Sequence, residues 1–275
     1  MKWIAAIGAL AISGVGLGTS QAQADTLSDI LEDGVITIGV KADYRPWGYR
    51  TSDGDIVGLE IDMAQELADR LGVELEMVVV VGSNRMEFLN QGQIDLIIAT
   101  MGDNAQRREV VGMIEPNYYA GGTNVLAPQS AGLENWTDLE GQSVCGIQGA
   151  YYNRRSQTEY GIELVAFTGV PEATNALRQG ACVAFLYDNT WIQSQIASDE
   201  TWADFEMPMQ TEDPSVWALG VRQDDLNGPF GLMVSGFVTE LHRTGWLIEK
   251  EEEWGIAPSP FLQEMHEALQ TRVDG

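Results

Sequence analysis

Basic residues are scarce in this chain, with 15 Lys and Arg against 41 Asp and Glu and a formal net charge of −26 at pH 7. Such a surface repels nucleic acid and anionic lipid, which removes both as partners. Histidine is rarer still. His242 and His266 are the only two, both in late amphipathic helical patterns with acidic neighbours, where they read as surface residues rather than metal ligands. The phosphate-cradling loops GxGxxG and GxxxxGK[ST] are missing, as are GxSxG, HExxH and CxxC. No metal and no cofactor is therefore expected. After residue 24 no apolar run reaches the ~18 residues that a membrane span needs.

Cysteine is limited to Cys145 and Cys182. The first 24 residues explain why two can suffice. Lys2 supplies a positive start, Trp3 to Leu17 is apolar and small, and Ala22-Gln23-Ala24 is an A-x-A cleavage pattern before Asp25. This is the form of a secretory signal peptide at 1–24. In an oxidising compartment an even cysteine count favours a disulfide over two buried thiols. Both cysteines sit in short apolar runs, SVCGI and CVAFL, consistent with neighbouring strands, and closing their loop should stabilise by roughly 3–4 kcal/mol.

What is abundant is alternation. Val35–Val40, Glu74–Val80 and Ile94–Ala99 read as strands. Between them, Asp62–Leu71 carries apolar residues at helical spacing and stops at Gly72, and Asn84–Asn90 is a short helix. The rhythm restarts with strands Ser143–Ile147, Leu164–Phe167 and Cys182–Tyr187. Helices are expected near Tyr151, over Pro171–Gln179 and through Trp191 to Ile196. Two α/β units follow, each a mostly parallel sheet flanked by helices. A strand after Gly121-Gly122 and another within Ser215–Val221 would make two crossings between them. Helices over Leu226–Leu247 and Phe261–Leu269 close the chain, with Trp191, Trp246 and Trp254 in the core. The acids Asp53, Asp55, Glu60 and Asp62 lack a calcium-loop pattern and read as a solvated edge.

One stretch breaks the pattern. IIATMGDNAQRREVV runs from a buried strand into a helix whose first turn carries Arg107 and Arg108. A helix start disfavours cations, so each arginine either forms a surface ion pair, with Glu109 for instance, or waits for an anion.

GVKADYRPWGYRTSDGDIVGLEIDMAQELADRLGVELE, LNQGQIDLIIATM, QRREVVGMIEPNYYAGG, LEGQSVCGIQGAYYN, GVRQDD and HRTGWLIEKEEEWG together resemble the periplasmic amino-acid-binding proteins of ABC importers, in the family's order over the mature chain. The resemblance implies two lobes joined by two hinge strands, with residues 25–120 and 218–275 in lobe 1 and 121–217 in lobe 2. It further implies a monomer in the periplasm that hands an amino acid or close analogue to a membrane permease. By the same resemblance Arg107 grips the α-carboxylate and Asp188 the α-ammonium. Thr100, Gly102 and the N–H groups of Ala150 and Tyr151 face the ligand, and Tyr44 and Trp47 wall its side chain. Asp188 can also be read as a helix N-cap. The chain departs from the family where Gly102 replaces Ser or Thr, Asn104 replaces Thr, Tyr151 replaces a small hydroxyl residue, and Gly82 replaces a larger apolar one. A related scaffold serves exported dehydratases, which need a general acid; Glu87 and Glu115 are the acids near the cleft. A ligand-sensing module is a third reading of the same site.

Overall fold

Strand and helix alternate into two main sheets, as the sequence implies, with a small three-stranded antiparallel sheet of Asp43–Tyr44, Gly48–Arg50 and Ile56–Val57 beside them. The computed structural model describes residues 25–270, so the expected signal peptide lies outside the described residues. The first sheet runs Glu74–Val79, Val35–Val40, Leu96–Ile98, Gly220–Val221, Gly112–Met113. Its first three strands are parallel, with Ile38 opposite both Met77 and Leu96. Ile36, Ile38 and Val40 are fully buried, as befits a central parallel strand covered on both faces. Helix Leu59–Leu71 packs over it and ends at Gly72 in the left-handed region (φ 70°). It starts earlier than its polar face suggests because Leu59 and Ile61 are also buried.

The second sheet runs Glu163–Phe167, Ser143–Ile147, Ala184–Asp188, Tyr119–Pro128, Phe205–Glu206, with Glu212–Trp217 also pairing Tyr119–Pro128. Here Ser143–Ile147 is parallel to both of its neighbours. The chain crosses between sheets twice, before Tyr119 and after Trp217. These two residues pair directly, antiparallel. The two crossings therefore form one two-stranded hinge.

Cys145 and Cys182 are bonded within the second half, 37 residues apart in sequence. Replacing both by Ala should lower unfolding free energy by about 3 kcal/mol in a urea titration. An unchanged midpoint would show that the bridge restrains little in the unfolded chain.

Three expectations fail on packing. The single helix over Leu226–Leu247 is two helices, Pro229–Thr244 and Trp246–Glu253, broken by Gly245 (φ 82°). Its start shifts to Pro229, where proline suits a first helical turn. His242 is buried rather than at the surface. Helical spacing sets it beside Val238 and Leu241 on the inner face, its Nε2 lies 2.8 Å from the Asn117 carbonyl oxygen, and burial lowers its pKa. Only Trp191 of the three tryptophans is fully in the core. Trp246 and Trp254 are half-buried, the latter donating from Nε1 to Asp62 at 2.9 Å.

Candidate ligand-binding site

The carboxyl ends of parallel strands collect ligands because loops there are free to differ while the sheet stays rigid. Arg107 follows the end of Leu96–Ile98. Its short helix, Ala105–Arg108, is started by Asn104, whose side chain accepts from the Arg107 N–H at 2.9 Å. The guanidinium turns inward and is 6% exposed. It donates to the carbonyl oxygens of Gly102 (2.6 Å) and, across the cleft, Gly149 (3.0 Å). Among the described residues it has no carboxylate partner. Burial and then the charge of Arg85 pull its pKa down to about 9, so it remains a cation at neutral pH. Arg108 does the opposite. It is exposed and bridges Asp103 and Glu115 at 2.5 and 2.6 Å.

Asp188 ends strand Ala184–Asp188 in the other half, at the N-cap position of helix Asn189–Ser198. It makes no side-chain cap bond there. Its carboxylate instead accepts from Tyr44 Oη at 2.8 Å, across the cleft. Burial pushes the carboxyl up to about 6, against the opposing pull of that hydrogen bond and of Arg85, Arg107 and Lys41.

Arg107 and Asp188 share one cavity of about 40 Å³, room for about three water molecules. Thr100, Gly102, Ala150 and Tyr151 also line it. Tyr44 and Trp47 do not. Both are fully buried behind it, packed edge-on against each other and against Trp217. The Ala150 N–H is committed to Ile147 at 3.2 Å. The Thr100 N–H points away from the cavity to Glu60 at 2.7 Å.

The missing hydroxyl at position 102 has a steric cause. A Cβ on Gly102 would meet Ser215 Oγ at 2.8 Å and Arg107 and Tyr151 at 3.3 Å. Tyr151 occupies that space and donates from its hydroxyl to the Asp213 carbonyl oxygen at 3.1 Å. Gly82 is explained likewise: a Cβ there would lie 2.9 Å from the Gln148 carbonyl oxygen on the facing half.

Several lining residues escaped the sequence reading, among them Lys41, Arg85, Tyr187 and Trp217. Arg85 had a usable signal. In helix Arg85–Asn90 it lies one turn before Leu89, so both fall on the buried face. Lys41 directly follows a core strand and pairs with Asp43 at 2.8 Å.

Glu60 reverses the solvated-edge reading: it is fully buried, whereas Asp53 and Asp55 are exposed. Leu59 and Ile61 carry it inward with the first helical turn. One of its oxygens accepts from Thr100 N–H and Tyr118 Oη, while the other has no partner. Burial raises its pKa from 4.5 to about 7. A folded-state value above the unfolded one favours folding at low pH. That stabilisation is complete below pH 4.5 and is lost as pH rises through 7. Its size is at most about 3 kcal/mol. Glu60→Gln, which keeps an acceptor, should remove this loss. Thermal melts from about pH 5 to about pH 8 should fall more for the wild type than for the variant; parallel curves would show that Glu60 does not titrate there.

A larger cavity of about 640 Å³ lies between Tyr119–Gly121, helix Asn189–Ser198 and the segment 248–263. Its lining has acids, Glu251 and Glu252, but no Lys or Arg. Size alone does not make it the site; of these two cavities, the smaller is the one where buried opposed charges from both halves converge.

Two α/β halves, a two-stranded hinge and a charged cavity where the halves meet define a two-lobe binding protein. Residues 36–258 match the bacterial extracellular solute-binding proteins, family 3, and the chain belongs to that family. It is 22% identical over 224 residues to the arginine-binding extracellular protein ArtP of Bacillus subtilis, covering 80% of this chain and 85% of ArtP. It is 30% identical over 128 residues to a cyclohexadienyl dehydratase of Pseudomonas aeruginosa, covering 46% of this chain and 48% of that enzyme. A solved structure of the P235GK mutant of ArgBP from T. maritima superposes with a TM-score of 0.77 at 24% identity, over 83% of this chain and 98% of that one. This last likeness concerns the fold.

Proposed function

We propose that this chain captures an amino acid, or a close analogue, in the periplasm and delivers it to the membrane permease of an ABC importer. The observation that carries this is the placement of Arg107 and Asp188, a cation and an anion from opposite halves, on one cavity. A free amino acid presents −1 and +1 a few ångströms apart. Arginine meets its carboxylate bidentately, and Asp188 receives its ammonium. The ligand then bridges the lobes, 25–120 with 218–275 and 121–217, so closure depends on occupancy. The protein acts as a monomer, exported by its signal peptide, and the permease reads its closed form. Because the cavity holds only about 40 Å³, entry of a ligand requires Arg107 to leave Gly149 and the lobes to part. The amino-acid ligand named for ArtP supports the class.

A thermal-shift screen over amino acids, plain carboxylates and plain amines tests the reading. A true ligand at ~100 times its dissociation constant adds roughly 2.7 kcal/mol of stability. Response to carboxylates alone, or to amines alone, would remove half of the proposed site.

The dehydratase relative motivates a second reading, an enzyme on the same scaffold. It has weaker support: Glu87 and Glu115 are both exposed and neither lines the cavity. Formation of phenylpyruvate or phenylalanine from prephenate or arogenate, followed spectrophotometrically, would establish it.

A further inference from the structure

The cavity holds more positive charge than a zwitterion can neutralise. Three cations line it: Lys41, Arg85 and Arg107. Lys41 is taken by Asp43 at 2.8 Å. Arg107 is assigned to the ligand's α-carboxylate. Arg85 remains, 4% exposed, with one guanidinium nitrogen donating to the Ala99 carbonyl oxygen and its Nε without any partner. Among the described residues neither Arg85 nor Arg107 has a carboxylate within ion-pairing distance.

Two acids lie near Arg85, and neither pairs with it. Asp188, among the described residues the only carboxylate on the cavity wall, is held by Tyr44 and is assigned to the ammonium. Glu60 does not line the cavity; one oxygen is engaged by Thr100 and Tyr118 and the other by nothing. The phenols of Tyr118 and Tyr187 also face Arg85, and both are neutral hydroxyls because burial raises their pKa values. The two buried guanidiniums disfavour each other's charge. A buried cation is tolerated when an anion with good hydrogen-bonding geometry completes it.

We propose that Arg85 determines specificity by receiving a second anionic group, so that the ligand is a dicarboxylic α-amino acid rather than a neutral or basic one. This rests on the amino-acid reading above, with Arg107 and Asp188 holding the α-groups. A basic side chain would sit against Arg85 beside Lys41, and an amide would leave the guanidinium charge uncompensated.

Calorimetric titration of the ligand-free mature protein with aspartate, glutamate, asparagine, glutamine and arginine tests it. Wild type should bind at least one of the two acids roughly tenfold or more tighter than the matching amide. In Arg85→Gln that ratio should fall to near one. Arg85→Lys, which keeps the charge without the fork, should restore part of the preference. If wild type binds an amide or arginine as well as the acids, or Arg85→Gln keeps the wild-type ratio, the proposal is overturned while the amino-acid function stands. If none of the five binds, the amino-acid reading itself fails for these ligands and this proposal fails with it. Should Arg85→Gln not fold, as judged by circular dichroism, the wild-type acid-to-amide ratio decides alone.

Discussion

Arg107→Ala is expected to weaken ligand binding by about 3–5 kcal/mol, the range for removing one partner of a buried charged pair. That is a loss of roughly two to nearly four orders of magnitude in affinity. The size follows from the burial of the guanidinium. Arg107 is 6% exposed and among the described residues has no competing carboxylate, so bulk solvent screens its contact with the ligand's carboxylate little. The variant also leaves the Gly102 and Gly149 carbonyl oxygens without their guanidinium donor. A melt of the unliganded protein is therefore needed beside the titration, to separate lost affinity from lost stability. Arg107→Lys should fall in between, since lysine brings charge without the planar fork. Unchanged affinity in Arg107→Ala would sink the carboxylate assignment. Arg108→Ala should leave affinity unaltered, because that side chain is exposed and paired with Asp103 and Glu115.

Loss of Asp188 should cost a comparable amount, about 3–5 kcal/mol in Asp188→Asn, and it should also change the pH profile. With its carboxyl pushed up to about 6 by burial, Asp188 is ionised at neutral pH and protonated in mild acid. The ligand's ammonium selects the ionised form. Affinity should be flat between about pH 7 and about pH 8 and fall about tenfold per unit well below pH 6. Binding in that acid range should release a proton, visible as a buffer-dependent heat in calorimetry. In Asp188→Asn both the slope and the proton release should vanish. A wild-type affinity independent of pH down to about 5 would mean that the ammonium is held elsewhere.

Arg107 and Arg108 are adjacent in sequence and opposite in fate, and they show where sequence reading works. The break from buried strand to helix was visible in IIATMGDNAQRREVV, and the two-sheet α/β architecture followed from the spacing of apolar runs. The Cys145–Cys182 bridge followed from cysteine count and the expectation of an export signal. Glu60 and His242 were misread because their sequence neighbours include acids, while burial is decided by which helical face turns inward. Arg85 was missed for the same reason. A charged residue on an inner face looks like one on an outer face until the helix is docked.

By itself the sequence determined the alternation of strands and helices, the two crossings, the disulfide, and Arg107 and Asp188 as candidate residues for opposite ends of one ligand. The first three are local or compositional properties, set by periodicity and by cysteine number, whereas Arg107 and Asp188 came from the resemblance to the binding-protein family, since residue type alone also allowed a surface ion pair and a helix N-cap. Only the tertiary structure decided that Tyr44 and Trp47 back the cavity instead of lining it. Docking of the two halves also let Tyr151 and Ser215 fill the space a hydroxyl at position 102 would need. The same docking brought Arg85 to Arg107's cavity. The physical reason is that charge balance and free volume belong to a closed space. That space exists only once residues more than a hundred positions apart, such as Tyr44 and Asp188, have met across the cleft.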